Sequence, residues 1–216
     1  MSGLLIATPL RIEAALVGCA TRTAQVRRTG MGPERSFAAA RELYEQPAAA
    51  FLVMGFCGGL EESSAPGDVI VADRLLRNEV TGKDEHPAEP TPCAGADALA
   101  ALLASRGLRV RRGMVVSVAR QVHNKWWRAK LSERGAIAVD MESAWLAHGL
   151  EERPFGVVRV VVDTPARELT RPLATLIGGV RAAVVLRRAA SAIDRLVAEH
   201  GVHTVFGSDG GGYPSK

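Results

Sequence analysis

The run Gly156-Val-Val-Arg-Val-Val-Val-Asp163 constrains the fold more than any other part of this 216-residue chain. Near-continuous β-branched residues suit a strand buried on both faces, and such strands belong to sheets covered by helices on both sides. Shorter apolar runs recur at 4–8, 24–28, 49–54, 68–72, 114–118 and 136–139. Helical spacing falls between them, at 11–18, 36–44 (with Pro33 suited to a first turn), 96–105, 125–134, 143–150 and 175–199. Residues 78–95 carry prolines, charges and glycines and read as a long loop. The tail from Gly207 is Gly-rich and polar and reads as a flexible segment. Strands separated by helices imply a single α/β domain with a largely parallel sheet. Such sheets gather ligands at the carboxyl ends of their strands.

Composition narrows the class further. The chain is 47% hydrophobic, 23% charged and only 5% aromatic, which suits small residues packed between helices and sheet. Its formal charge of +4 favours anions, phosphate groups or anionic lipid surfaces. The arginines are scattered, not gathered in an arm, so nucleic acid is not expected. Cys19, Cys57 and Cys93 form neither a CxxC pair nor a metal-like cluster, and this sparse, odd set suits a reducing compartment. The apolar stretch from Leu4 to Leu10 is too short for a signal core or a span, so a cytoplasmic location is expected.

Chemistry is therefore sought at strand ends. Asp163 closes the valine run, where an apolar rim would favour the protonated acid that general-acid catalysis needs. A turn or helix-capping aspartate before Thr164-Pro165 is the plainer reading of the same residue. Asp140-Met141-Glu142 lies at a strand-to-helix junction. Its carboxylates could accept sugar hydroxyls beside a methionine wall, or could simply complement a helix dipole. Thr29-Gly30-Met31-Gly32 and Gly55-Phe56-Cys57-Gly58-Gly59 follow predicted strands and could bring backbone N–H groups to an anion or a ribose. Neither is a GxGxxG or Walker loop, which argues against a dinucleotide-dependent oxidoreductase.

Taken in order, these segments resemble the nucleoside phosphorylase and nucleosidase superfamily. The resemblance runs from the first strand to about residue 200. It rests on Glu13, Thr29-Gly-Met-Gly32, Gly55-Phe-Cys-Gly-Gly-Leu60, Pro66-Gly-Asp-Val-Ile-Val-Ala-Asp73, Ala136-Ile-Ala-Val-Asp-Met-Glu-Ser143 and Val157-Val-Arg-Val-Val-Val-Asp163. It implies a central twisted mixed β-sheet flanked by helices, and cleavage of a purine nucleoside's N-glycosidic bond. It further implies that Glu142 binds ribose hydroxyls with Met141 against the sugar, that Asp163 protonates purine N7, and that Glu13 activates water. Asp140, Gly30, Met31, Phe56, Cys57, Gly58, Gln121 and Val122 are the remaining expected substrate contacts, and Arg11 is a candidate phosphate ligand. No metal or organic cofactor is implied, although phosphate could serve as co-substrate. A homo-oligomer is expected.

Several positions depart from the family pattern. Val162 stands where a hydroxyl residue often orients the aspartate, Phe56 replaces a small hydroxyl residue, and no base-stacking aromatic is evident around Gln121-Val122-His123. Phosphorolysis and hydrolysis thus both stay open. Finer features resemble the hopanoid-associated branch, which removes adenine from adenosylhopane. They include Arg159-Val-Val-Val-Asp-Thr-Pro165, Arg167-Glu-Leu-Thr-Arg171 and Gly178-Gly-Val-Arg181. That resemblance implies an apolar channel, for which Trp126, Trp127, Trp145 and Phe56 are candidates, and contact with a membrane surface. The competing readings are a methylthioadenosine/adenosylhomocysteine or aminofutalosine nucleosidase, and a non-catalytic nucleoside-binding module.

Overall fold

The computed structural model describes residues 3–78, 89–122, 124–148, 150, 153–164 and 172–207. In chain order the elements are β1 (Leu4–Thr8), α1 (Arg11–Gly18), β2 (Gln25–Arg28), α2 (Pro33–Tyr44), β3 (Ala50–Gly59), β4 (Val69–Asn78), β5 (Thr91–Pro92), α3 (Ala96–Ser105) and β6 (Val110–Val118). They continue with α4 (Lys125–Glu133), β7 (Ala136–Asp140), α5 (Ser143–Ala147), β8 (Phe155–Asp163), α6 (Pro172–His200) and α7 (His203–Phe206).

The strands form one sheet in the order β2-β1-β3-β7-β6-β4-β5, with β8 bridging β3 and β4. Pairing is parallel for β1 with β2 and β3, β3 with β8, and β6 with β4 and β7. It is antiparallel for β3–β7, β4–β5 and β4–β8. The sheet is therefore mixed, and its pairings close on themselves through β3, β7, β6, β4 and β8. β3 makes this closure possible. It runs parallel to β8 until the register shifts between Cys57 and Gly58, after which Gly58 and Gly59 pair antiparallel with β7. A one-residue irregularity of this kind bends a strand and lets it serve two neighbours.

Period-two alternation sorts the core onto two faces. Leu4, Ile6, Leu52, Met54, Val158 and Val160 pack toward α1, α3, α6 and α7. Leu5, Ala7, Phe51, Val53, Val157 and Val161 pack toward α2 and α5. A third cluster lies beneath α4, around Leu131, Val116 and Leu60. At roughly 25 cal/mol per Å2 of apolar area removed from water, such double coverage supplies the main favourable term in folding. Asp194 of α6 adds a polar clasp, because its carboxylate accepts from the N–H groups of Arg22 (2.7 Å) and Ala24 (2.8 Å) and from the Thr23 hydroxyl (2.8 Å).

Several expected boundaries shift. β3 extends through Gly59 and β4 through Asn78, so the Gly55–Gly59 run lies inside a strand and not after one. α5 stops at Ala147, short of the expected residue 150, while α7 adds a turn before Gly207. Within the expected 78–95 loop, β5 pairs with β4. Residues 79–88, the Arg167–Arg171 motif and the tail from 208 lie outside the described residues, as does His123.

Candidate active site

The site begins with a buried arginine. Arg159 sits in the middle of β8, wholly enclosed, and shares the α5-facing side of the strand with Val157 and Val161. An unpaired guanidinium there would cost several kcal/mol, so partners must surround it. Its Nη2 lies 2.8 Å from Asp140, 3.3 Å from Glu142 and 3.0 Å from the Ser143 hydroxyl, and its Nη1 lies 3.5 Å from the Phe56 carbonyl oxygen. Asp140 also accepts from the hydroxyls of Ser117 and Ser143 and from the N–H groups of Glu142 and Ser143. Its oxygens are thus committed to Arg159 and to the start of α5.

Glu142 lies just before α5 and bridges two parts of the site. One oxygen is 3.3 Å from Arg159, and the other is 3.4 Å from the Gly32 N–H. Its carboxyl is raised to about 7, chiefly by burial and further by Asp140 and Glu13, against the lowering influence of Arg159 and the Gly32 N–H. Glu13, in the first turn of α1, accepts from the N–H groups of Leu10 and Phe56, each at 2.7 Å. Burial likewise raises its pKa, against the lowering influence of Arg159 and those two N–H donors. Such a carboxyl binds a proton more readily than one in water, which suits proton transfer near neutrality.

The glycines of β3 make room for this arrangement. A Cβ on Gly55 would stand 2.6 Å from Glu13 Oε1 and 2.7 Å from Arg159 Nη1. At Gly58 it would meet Asp163 Oδ1 at 3.0 Å and Val139 at 3.2 Å. The run expected to cradle an anion therefore mainly lets buried side chains approach the strand. The other loop does use its backbone: Gly32 has φ of 89° and points its N–H at Glu142.

Asp163 ends β8, opposite Gly58. The apolar rim expected around it, with Val139 and Val162, is interrupted by Arg128 of α4, which reaches in and forms a buried ion pair with its Oδ2. Arg128 also donates to the carbonyls of Gly59 (3.1 Å) and Val122 (3.3 Å). Neither Arg128 nor Arg159 was singled out as a site residue from the sequence. Arg159 had a readable signal, since a charge in the middle of a valine-rich buried strand must find carboxylate partners. Arg128 had little, because Trp126 and Trp127 beside it look like the inward residues.

These groups enclose a cavity of about 180 Å3. Of the expected contacts, Glu13, Met31, Phe56, Cys57, Gly58, Gln121, Val122, Asp140, Met141, Glu142 and Asp163 line it. Pro9, Leu10, Val118, Arg128, Val139 and Val162 complete the described lining. Gly30 and Arg11 do not line it; Arg11 is exposed at the start of α1. The tryptophans expected along a channel lie elsewhere. Trp145 is buried against Phe37, with ring centroids 5.6 Å apart, and Trp126 and Trp127 flank a separate surface hollow with Lys130. His148 is exposed at the end of α5. No group of His, Cys, Asp and Glu among the described residues could hold a metal ion. No described helix is long and apolar enough to cross a membrane.

Carboxylates from a first helical turn and from two strand ends thus converge on one cavity of a mixed sheet, and comparison with known proteins identifies the family. The chain belongs to the phosphorylase superfamily, whose family model matches residues 15–199. It is 28% identical over 152 residues to AMP nucleosidase from Escherichia coli K12, covering 63% of this chain but only 31% of that protein. Among solved structures, a 5'-methylthioadenosine/S-adenosylhomocysteine nucleosidase from Neisseria meningitidis, in complex with methylthio-immucillin-A, superposes with a TM-score of 0.76 at 18% identity. That match covers 91% of this chain and all (100%) of the other. A futalosine hydrolase mutant from Helicobacter pylori gives 0.77 at 19% identity, covering 92% and 100%.

Proposed function

We propose that this chain hydrolyses the N-glycosidic bond of an adenine nucleoside and releases free adenine. The observation that carries the reading is the convergence of Glu13, Glu142 and Asp163, from three separate elements, on one small cavity. Asp163 gives a proton to purine N7 while the C1'–N9 electron pair leaves with the base. Glu142 accepts the ribose hydroxyls beside Met141. Glu13 takes a proton from the water that attacks C1' as the sugar gains oxocarbenium character. Positioning and electrostatics supply the acceleration, and the reaction needs no metal or organic cofactor.

Charge favours water over phosphate as the nucleophile. Among the described lining residues Arg128 is the one cation, and Asp163 occupies it, whereas four carboxylates face or border the cavity. Arg159, behind the lining, is likewise paired, to Asp140 and Glu142, so a phosphate dianion would find no uncommitted guanidinium among the described lining residues. The same argument disfavours a 5'-phosphate on the substrate and favours an apolar 5' substituent, for which Pro9, Leu10, Met31, Phe56 and Val162 supply walls. Adenosylhopane, from the hopanoid-associated resemblance, fits that preference, and methylthioadenosine is the smaller alternative. A basic hollow formed by Arg22, Arg187, Arg188 and Arg195 between α1 and α6, beside the exposed Val184, supports approach to an anionic membrane. Met31, half-exposed at the cavity, is a candidate contact in the expected homo-oligomer.

The test incubates purified protein with adenosylhopane, methylthioadenosine, adenosine and AMP, with and without phosphate, and measures free adenine. Release from the apolar 5' substrates, independent of phosphate and reduced by about 10^2 to 10^4-fold in Asp163→Asn, is expected of a lost general acid. Adenine binding without any release would instead make the chain a binding module.

A further inference from the structure

Among the described lining residues Arg128 is the one cation, and the proposed chemistry leaves it without a task. It sits 5% exposed on α4, a helix whose other buried residue is Leu131, while both neighbouring tryptophans face outward. Turning an arginine inward and two indoles outward runs against ordinary burial preferences, so something at the site must repay it. Three acceptors do so, and each belongs to a different wall: Asp163 ends β8, Gly59 ends β3, and Val122 precedes α4. The guanidinium fork therefore fixes the carboxylate relative to the strand and segment that flank it.

From this geometry we infer that Arg128 is the positioning residue for Asp163, replacing the orienting hydroxyl that Val162 cannot supply. The inference rests on the reading of Asp163 as proton donor to the base. Arg128 engages Oδ2. Oδ1, which lies over Gly58 on the cavity lining, is left for purine N7. Asp163, a carboxylate in its resting pair with Arg128, takes up a proton from solvent before the base is held against it; when that proton passes to N7 and the C1'–N9 pair departs with the base, Asp163 returns to the carboxylate. That is the species a guanidinium stabilises. The interaction strengthens as the transition state forms, so it acts on kcat more than on substrate binding. α4 has a good start for holding the arginine in place: the Asn124 side chain accepts from the Trp126 N–H at 2.8 Å.

A double-mutant cycle on whichever adenine nucleoside the wild-type protein cleaves provides the test. Arg128→Met should lower kcat by roughly 100-fold with KM changed less than about threefold, the signature of an interaction made in the transition state. Arg128→Lys, which keeps the charge but not the fork, should recover at least about tenfold of that loss. Adding Arg128→Met to Asp163→Asn should cost less than about threefold more, because a residue acting through Asp163 has nothing left to position. A loss that is fully additive on the Asp163→Asn background, including loss through unfolding, would make Arg128 a general structural support and overturn the inference. An unchanged kcat, or a rise in KM alone, would overturn it too. Failure of the wild-type protein to release adenine would instead remove the functional reading on which the inference stands.

Discussion

Glu142 shows how one side chain can serve a site at the expense of the fold. In the unfolded chain its carboxyl has an ordinary pKa near 4.5, whereas burial in the native state lifts it to about 7. Between those values the native state holds a proton that the unfolded chain has released. Stability from this group is therefore fully present below pH 4.5 and is lost as pH rises through about 7. Melting temperature measured across this range should decline with pH in the wild-type protein. Glu142→Gln, which cannot ionise, should reduce that slope while losing activity, Glu13 carrying part of the remainder; an unreduced slope would assign it to other groups. The glycines of β3 make a related point. Gly55 looked like part of a ligand loop in the sequence, yet its missing Cβ leaves the gap through which Glu13 and Arg159 reach the strand.

The elements themselves were largely legible. The valine run gave β8 within a residue, α3 matched its expected bounds, and the carboxylates at the ends of β7 and β8 were found from motif and position. What the sequence concealed was contact between elements. Arg128 and Asp163 are 35 residues apart, and no local pattern joins them. Trp126 and Trp127, expected along a channel, face outward because the ion pair at the end of β8 turns Arg128 of the same helix inward. The sheet is largely parallel, as strand–helix alternation leads one to expect, and becomes mixed where β3 turns to β7 and where β4 meets β5 and β8. At this scale the Asp194 clasp is also open to measurement. Hydrogen bonds to the segment between α1 and β2 hold its carboxyl below the usual range, against the cost of burial. Its stabilisation is present above pH 3.8 and fades as pH falls through the lowered native value. Asp194→Asn should cost about 1–3 kcal/mol in denaturant titrations at neutral pH, the usual penalty for unmatched buried donors. Activity per folded molecule should stay unchanged, because Asp194 does not line the cavity.

For the whole molecule, the sheet's closed circuit has a temporal consequence. Glu13, Arg128, Glu142 and Asp163 are carried by α1, α4, the β7–α5 junction and β8, and they meet only after β3 has engaged both β7 and β8. Contacts so distant in sequence tend to form late, since loop closure must precede them. Recovery of turnover during refolding from denaturant should thus trail the return of helical signal and coincide with the slowest spectroscopic phase. Turnover that returned with the helices would mean the circuit need not be complete. A partly assembled molecule would be silent, neither slow nor promiscuous, so catalysis itself would time the moment the ring of strands locks.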